Sequence, residues 1–195
     1  MTALLQVRGL SKSFGGLAAV KGLDFDVHEG EIVGLIGPNG AGKSTAFNLI
    51  SGAIKPSAGQ VVFDGHDITA KQPSQVVRYG LARTFQSASV FSQCTVFENV
   101  FRGSLSTLDI PFWAQIAETQ DFKKAKALVQ EQVDEILEIT GLAKFRDVTA
   151  GGLAYGHQKR LGVAVGLATR PRLLLLDEPA AGLNPEECAE FGRLL

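Results

Sequence analysis

Cysteine is scarce in this chain. Cys94 and Cys188 are the only two in 195 residues, and no CxxC spacing occurs. That leaves no disulfide framework and no cysteine cage for a metal, and it points to a reduced, cytosolic compartment with both thiols as packing residues. Charge of either sign is not in excess either. Nineteen basic against twenty acidic residues give a formal charge of −1, so nothing in the balance asks for nucleic acid or an anionic membrane as partner. Long apolar runs are missing as well. LGVAVGLA (Leu161 to Ala168) and LLLL (Leu173 to Leu176) are far too short to cross a bilayer. The opening MTALLQVRGLSKSF has its first charge at Arg8 and lacks the apolar stretch of a signal peptide. Membrane association is therefore expected only through a partner. There is no internal repeat and no low-complexity tract.

The length favours one domain with an inserted lobe and a substantial core. Leu5 and Val7, then Leu23, Phe25 and Val27, alternate as half-buried strands do. EIVGLIG (Glu31 to Gly37) reads as a short strand buried on both faces. It runs into GPNGAGKST and then into AFNLISGAI, a helical segment; QVVFDG (Gln60 to Gly65) is another strand ending in a turn. After Phe91 strand-like runs disappear. DFKKAKALVQEQVDEILEITG (Asp121 to Gly141) reads as one amphipathic helix with Asp121 as N-cap, Gly141 as C-terminal cap and an apolar stripe of Ala125, Leu128, Val129, Val133, Ile136 and Leu137. An α/β core of 1–91 and 150–195, interrupted by a helical subdomain at 92–149, is the expected organisation.

Gly37-Pro38-Asn39-Gly40-Ala41-Gly42-Lys43-Ser44 fits GxxxxGK[ST]. Glycines allow consecutive backbone N–H groups to curve around a phosphate, and the helix that follows aims its positive end at the anion. Lys43 then bridges the β- and γ-phosphates as a point charge, and the Ser44 hydroxyl binds Mg²⁺. A second metal-side carboxylate stands in LLLLDEP, where Asp177 ends an apolar strand and holds Mg²⁺ through water, while Glu178 deprotonates the attacking water. A ligand-free glycine-rich turn, and Asp177 and Glu178 as mere caps of the following helix, stay open as alternatives at this stage.

With the P-loop, LLLLDEP and LAYGHQ together, the sequence resembles the ATP-binding subunits of ABC transporters over essentially its whole length. The resemblance implies a RecA-like P-loop NTPase core with an N-terminal antiparallel β subdomain and the inserted helical subdomain. It implies ATP and Mg²⁺ as ligands, Gly37 to Thr45 around the phosphates, and Lys43, Gln86 and Glu178 as catalytic residues. Leu153-Ala154-Tyr155-Gly156-His157 takes the place of the family signature LSGGQ, which contacts ATP held by another subunit. Phe14 looks like the aromatic residue that stacks on adenine, with Val20 beneath the ribose; a core phenylalanine is the competing reading of Phe14. Gln86, in ARTFQ, resembles the glutamine that touches Mg²⁺ beside Ser44 and Asp177, against the alternative of a solvated loop amide. Ala181-Gly182-Leu183-Asn184 looks like the D-loop.

FGGLAAV, ARTFQ, LAYGHQKRL and LLLDEPAAGLNP are most similar to the branched-chain amino-acid importer ATPases. The lipopolysaccharide-export ATPase and non-transport ABC ATPases are the alternatives. The resemblance implies a second ATPase subunit (the same or a different chain), transmembrane permeases, an indirectly linked solute-binding protein, no nucleic acid, and a peripheral place on the cytoplasmic face of the inner membrane. It implies a coupling contact near Gln86 to Asn99, with Ser104 to Gln115 as an apolar loop whose Phe112 and Trp113 read as local packing. Ala154 replaces the signature serine, and His157 replaces its glutamine, either adding pH dependence near neutrality or serving as an ordinary surface histidine. His28, His66 and His157 all precede Asp177, so the family's switch histidine has no counterpart here. The chain is expected to be C-terminally truncated, and its 195 residues to hydrolyse ATP poorly on their own.

Overall fold

The alternating N-terminal pattern folds into an antiparallel hairpin of β1 (Leu5–Phe14) and β2 (Leu17–Val27), with Leu5 opposite Val27 and Val7 opposite Phe25. On its other edge β1 pairs with β3 (Ala58–Phe63), which sets Leu5 opposite Phe63 and Val7 opposite Val61. The short β4 (His66–Asp67) completes a sheet of order β2-β1-β3-β4. Side chains two apart share a face, so Leu5, Val7, Val61 and Phe63 form one apolar surface, and all four are buried. The computed structural model describes residues 3–84, 90–105 and 120–194. The chain divides into two compact units, 1–82 and 83–195.

The first unit also holds α1 (Lys43–Ile50), which contacts β2, and α2 (Pro73–Arg78), which opens with Pro73 and a reciprocal Gln72–Gln75 cap. One expectation fails here. Glu31 to Gly37 is not a buried strand: it has no strand assignment, and Ile32 and Ile36 are 79% and 93% exposed. The strands of the four-stranded sheet, in the order β2-β1-β3-β4, do not include this segment. An apolar run that must be covered on both faces finds no ladder among them.

In the second unit α3 (Val96–Leu105) packs against α4 (Gln120–Ile139) and α5 (Tyr155–Ala168). Val96, Val100, Val129, Val133, Ile136, Leu137, Leu153, Leu161 and Ala164 share one apolar cluster, so the helical packing takes in residues beyond 149. The predicted stripe on α4 needs two corrections. Leu128 is exposed, because the stripe narrows to the positions facing α3 and α5. Asp121 lies inside the helix, which already includes Gln120, and so does not cap it. Gly141 does end it: Gly141 N–H donates to Glu138 O at 3.0 Å and Leu142 N–H to Leu137 O at 2.7 Å, the paired bonds of a Schellman cap. β6 (Leu173–Leu176) pairs with β5 (Leu81–Thr84), and α6 (Pro185–Leu194) ends the described chain.

Asn99, buried on α3, ties the preceding loop to the cluster. Its Oδ1 accepts from Phe91 N–H at 2.7 Å, and its Nδ2 donates to Phe91 O at 3.1 Å and Thr95 O at 2.8 Å. Thr95 and Glu98 cap the same helix reciprocally. Replacing Asn99 by leucine keeps the branching at Cγ but strips these partners. The Asn99→Leu protein is expected to lose about 1–3 kcal/mol, read as a lower urea midpoint; an unchanged midpoint would show that the network contributes nothing net.

Candidate active site

The P-loop is a wrapped backbone. Gly40 and Gly42 take left-handed φ values of 82° and 85°, a conformation that anion nests use. Gly42 is also a steric requirement, since a Cβ there would lie 2.2 Å from Ala19 O on β2. Lys43, the first residue of α1, folds back over the loop and donates to Gly37 O at 2.7 Å and Pro38 O at 2.8 Å. An ammonium has three donors that turn about its stem, so the two resting on these carbonyls can be exchanged for bonds to phosphate oxygens. Ser44 is exposed in the first turn of α1, and Thr45 follows half-buried. Beside the loop is a groove of about 630 Å³, lined by Ala18 to Asp24, including Val20, by Leu35 and Ile36, and by Gly40 to Lys43. Phe14 is at the hairpin tip opposite Leu17. It is half-exposed, with Lys12 Nζ 5.2 Å from its ring centre, so it is not a core phenylalanine.

The signature stretch forms the start of α5. Ala154 is the N-cap, with extended φ and ψ of −59° and 151°, and Leu153 is buried just before it. Ala154 and Tyr155 face solvent, whereas Gly156 is buried against Glu187, whose Oε1 would be 2.8 Å from any Cβ added there. Tyr155 donates its hydroxyl to Ala181 O at 3.3 Å and lays its ring beside Gly182, so the signature and the D-loop stretch touch within one unit. The His157 ring packs on Phe145 at 4.4 Å. Burial lowers its pKa from the ordinary value, with the Arg160 and Lys144 charges adding to the shift. Both effects favour the neutral imidazole, which supports the ordinary histidine over a switch at neutrality.

Asp177 directly follows β6, is buried, and binds Arg83: Nη2 donates to Oδ2 at 2.8 Å. Glu178 is exposed and has a left-handed φ of 47°. Neither carboxylate caps the next helix. Asn184 does that for α6, accepting from Glu187 N–H at 2.9 Å while Glu187 Oε2 accepts from Asn184 N–H at 3.0 Å. Gln86, Phe112 and Trp113 lie outside the described residues.

The ABC transporter family model matches residues 20–181. The chain belongs to the ABC transporter family. It is 41% identical over 192 residues to BraF of Pseudomonas aeruginosa and 39% to LivG of Escherichia coli K12, both high-affinity branched-chain amino acid transport ATP-binding proteins. Each alignment covers 98% of this chain and 75% of the relative. An ATP-binding cassette of an ABC transporter in its ADP conformation superposes with a TM-score of 0.84 at 31% identity, covering 100% of this chain and 76% of that one. A nucleotide-free cassette gives 0.83 at 32%, with the same coverage. This ABC ATPase is an ATP-binding, ATP-hydrolysing P-loop protein that uses Mg²⁺, and the proteins it resembles are ATP-binding components of ABC transporters.

The donor chemistry of the ABC ATPase fits that ion. In the first unit the Ser44 hydroxyl is a hard oxygen donor at the start of α1, and in the second the Asp177 carboxylate is another. Mg²⁺ keeps its waters and takes one or two protein oxygens beside substrate phosphates. In the first unit the structure brings Val20 and the P-loop residues to one groove, with Phe14 near the tip of the same hairpin. In the second it brings the signature to the D-loop and Asp177 to Arg83. Sequence reasoning missed Arg83. The available signal was a cation inside an otherwise apolar short strand, LART.

Proposed function

We propose that this chain is the ATP-hydrolysing subunit that powers an importer of branched-chain, or other hydrophobic, amino acids. The observation that carries the reading is the formed P-loop, Lys43 held on the Gly37 and Pro38 carbonyls. It stands within a sequence that matches branched-chain transport ATP-binding proteins along 98% of its length. The backbone from Gly37 to Thr45 cradles the phosphates, and Lys43 neutralises charge on the β- and γ-oxygens. Phe14 offers a ring face to the base, worth about 1–3 kcal/mol for any base, and Val20 packs under the ribose. Ser44, Gln86 and, through water, Asp177 would hold Mg²⁺, which when bound would supply positive charge beside the transferring phosphoryl group. Glu178 takes the proton from the attacking water, and Gln86 aligns that water.

Leu153 to His157 serve a second ATPase subunit, identical or different, by pointing the start of α5 at the nucleotide bound there. Without a serine hydroxyl at Ala154 that contact lacks one charge-assisted hydrogen bond, about 1.5–3 kcal/mol, and relies on backbone amides. Permeases, fed by a solute-binding protein, dock from the membrane, and the subunit lies peripherally on the cytoplasmic face of the inner membrane. Uptake of radiolabelled leucine in a strain deleted for this chain tests the substrate. Expected is loss of high-affinity uptake, restored by the wild-type chain and not by Lys43→Ala. Normal leucine uptake in the deletion strain would overturn the importer reading and favour the lipopolysaccharide-export or non-transport alternatives.

A further inference from the structure

We infer that Arg83 is a positioning residue that holds the Asp177 carboxylate in place for the metal side of the site; the inference rests on the Asp177 role proposed above. Arg83 is the third residue of β5 and Asp177 the first residue past β6, and these two strands are partners. The side chains meet at 2.8 Å with only 7% and 5% of their surfaces exposed.

Stability alone does not account for such a pair. Desolvating two charges costs several kcal/mol, and apolar residues of similar volume are commonly as good or better. β5 and β6 supply the apolar alternative themselves, in Leu81, Ala82 and Leu173 to Leu176. The pair instead sits on the one buried carboxylate that the chemistry uses. A carboxylate offers about four lone-pair positions, so a donor on Oδ2 fixes its plane and leaves others for a metal-bound water. A planar guanidinium fixes direction where an ammonium does not. Outer partners of metal-side ligands act in this way, and their loss typically costs about 10- to 100-fold in metal affinity or activity. Arg83 is also three residues before Gln86 in sequence, so one strand end carries both the carboxylate's holder and the start of the segment that leads to the glutamine.

The test compares ATP affinity in Mg²⁺ with affinity in EDTA, by calorimetric titration of the full chain, with thermal unfolding as a folding check. Arg83→Met is expected to leave EDTA affinity unchanged and to reduce the Mg²⁺-dependent gain about 10- to 100-fold. Arg83→Lys should recover part of it. Arg83→Met combined with Asp177→Asn should be no worse than Asp177→Asn alone, since both act through one carboxylate. Equal losses in Mg²⁺ and EDTA, or no loss in either, would overturn the inference. If Asp177→Asn itself keeps the full Mg²⁺ gain, the Asp177 assignment fails first, and this inference with it. Should Arg83→Met not fold, Arg83→Gln makes the same comparison: a Mg²⁺-specific loss supports the positioning role and its absence overturns it.

Discussion

Lys43→Ala removes ATP binding. The ammonium sits over the P-loop on two carbonyls, and that posture gives the expected size of the loss. Hydrogen bonds to charged groups contribute about 1.5–3 kcal/mol each, so losing contacts to two phosphate groups lowers affinity by a factor on the order of 10² to 10⁴. The cradle's shape should survive. Gly40 and Gly42 set its turns through their own φ values, and Ala46 N–H still donates to Gly42 O at 2.8 Å. The variant should therefore keep its unfolding temperature and lose only its nucleotide. A titration showing wild-type ATP affinity would mean that the groove beside Lys43 is not the phosphate site. Arginine is not expected to restore binding, because its longer fork does not match a point-charge position framed by Gly37 and Pro38.

Features written in contiguous residues were legible in the sequence. The β1–β2 hairpin follows from alternation, the P-loop from glycine spacing before a helix, and the Gly141 cap from a glycine after the last apolar turn. What escaped depends on residues far apart. Arg83 finds Asp177 across 94 positions, and a lone cation in the short strand LART does not say which residue it pairs with. Tyr155 reaches the Ala181 carbonyl across 26, so a residue chosen for its place in the signature also contacts the D-loop. Glu31 to Gly37 was misjudged for the related reason that an apolar run announces burial but not which strand supplies it. Asp177 and Glu178 were ambiguous as possible caps until Asn184 was seen to cap α6.

Glu178→Gln retains ATP and nearly stops turnover. Glutamine matches glutamate in shape and accepts a hydrogen bond, but it cannot take a proton from water. General-base catalysis contributes about 10²- to 10⁴-fold, so kcat should fall by that order while KM stays close to wild type. The backbone supports a functional rather than a packing reading. Glu178 is exposed, precedes Pro179 and holds a φ of 47°, a conformation that costs an L-residue about 1–2 kcal/mol and that a following proline does not favour. Strain of this kind persists where a side chain must be aimed. Glu178→Gly separates the two roles. Relief of the left-handed strain offsets the roughly 0.5–1 kcal/mol of backbone entropy that glycine forfeits, so stability should hold or rise while hydrolysis is lost. If Glu178→Gln still hydrolyses ATP within the assembled transporter, the base is another group. If Glu178→Gly is instead markedly less stable, the side chain was holding the D-loop segment and not a water.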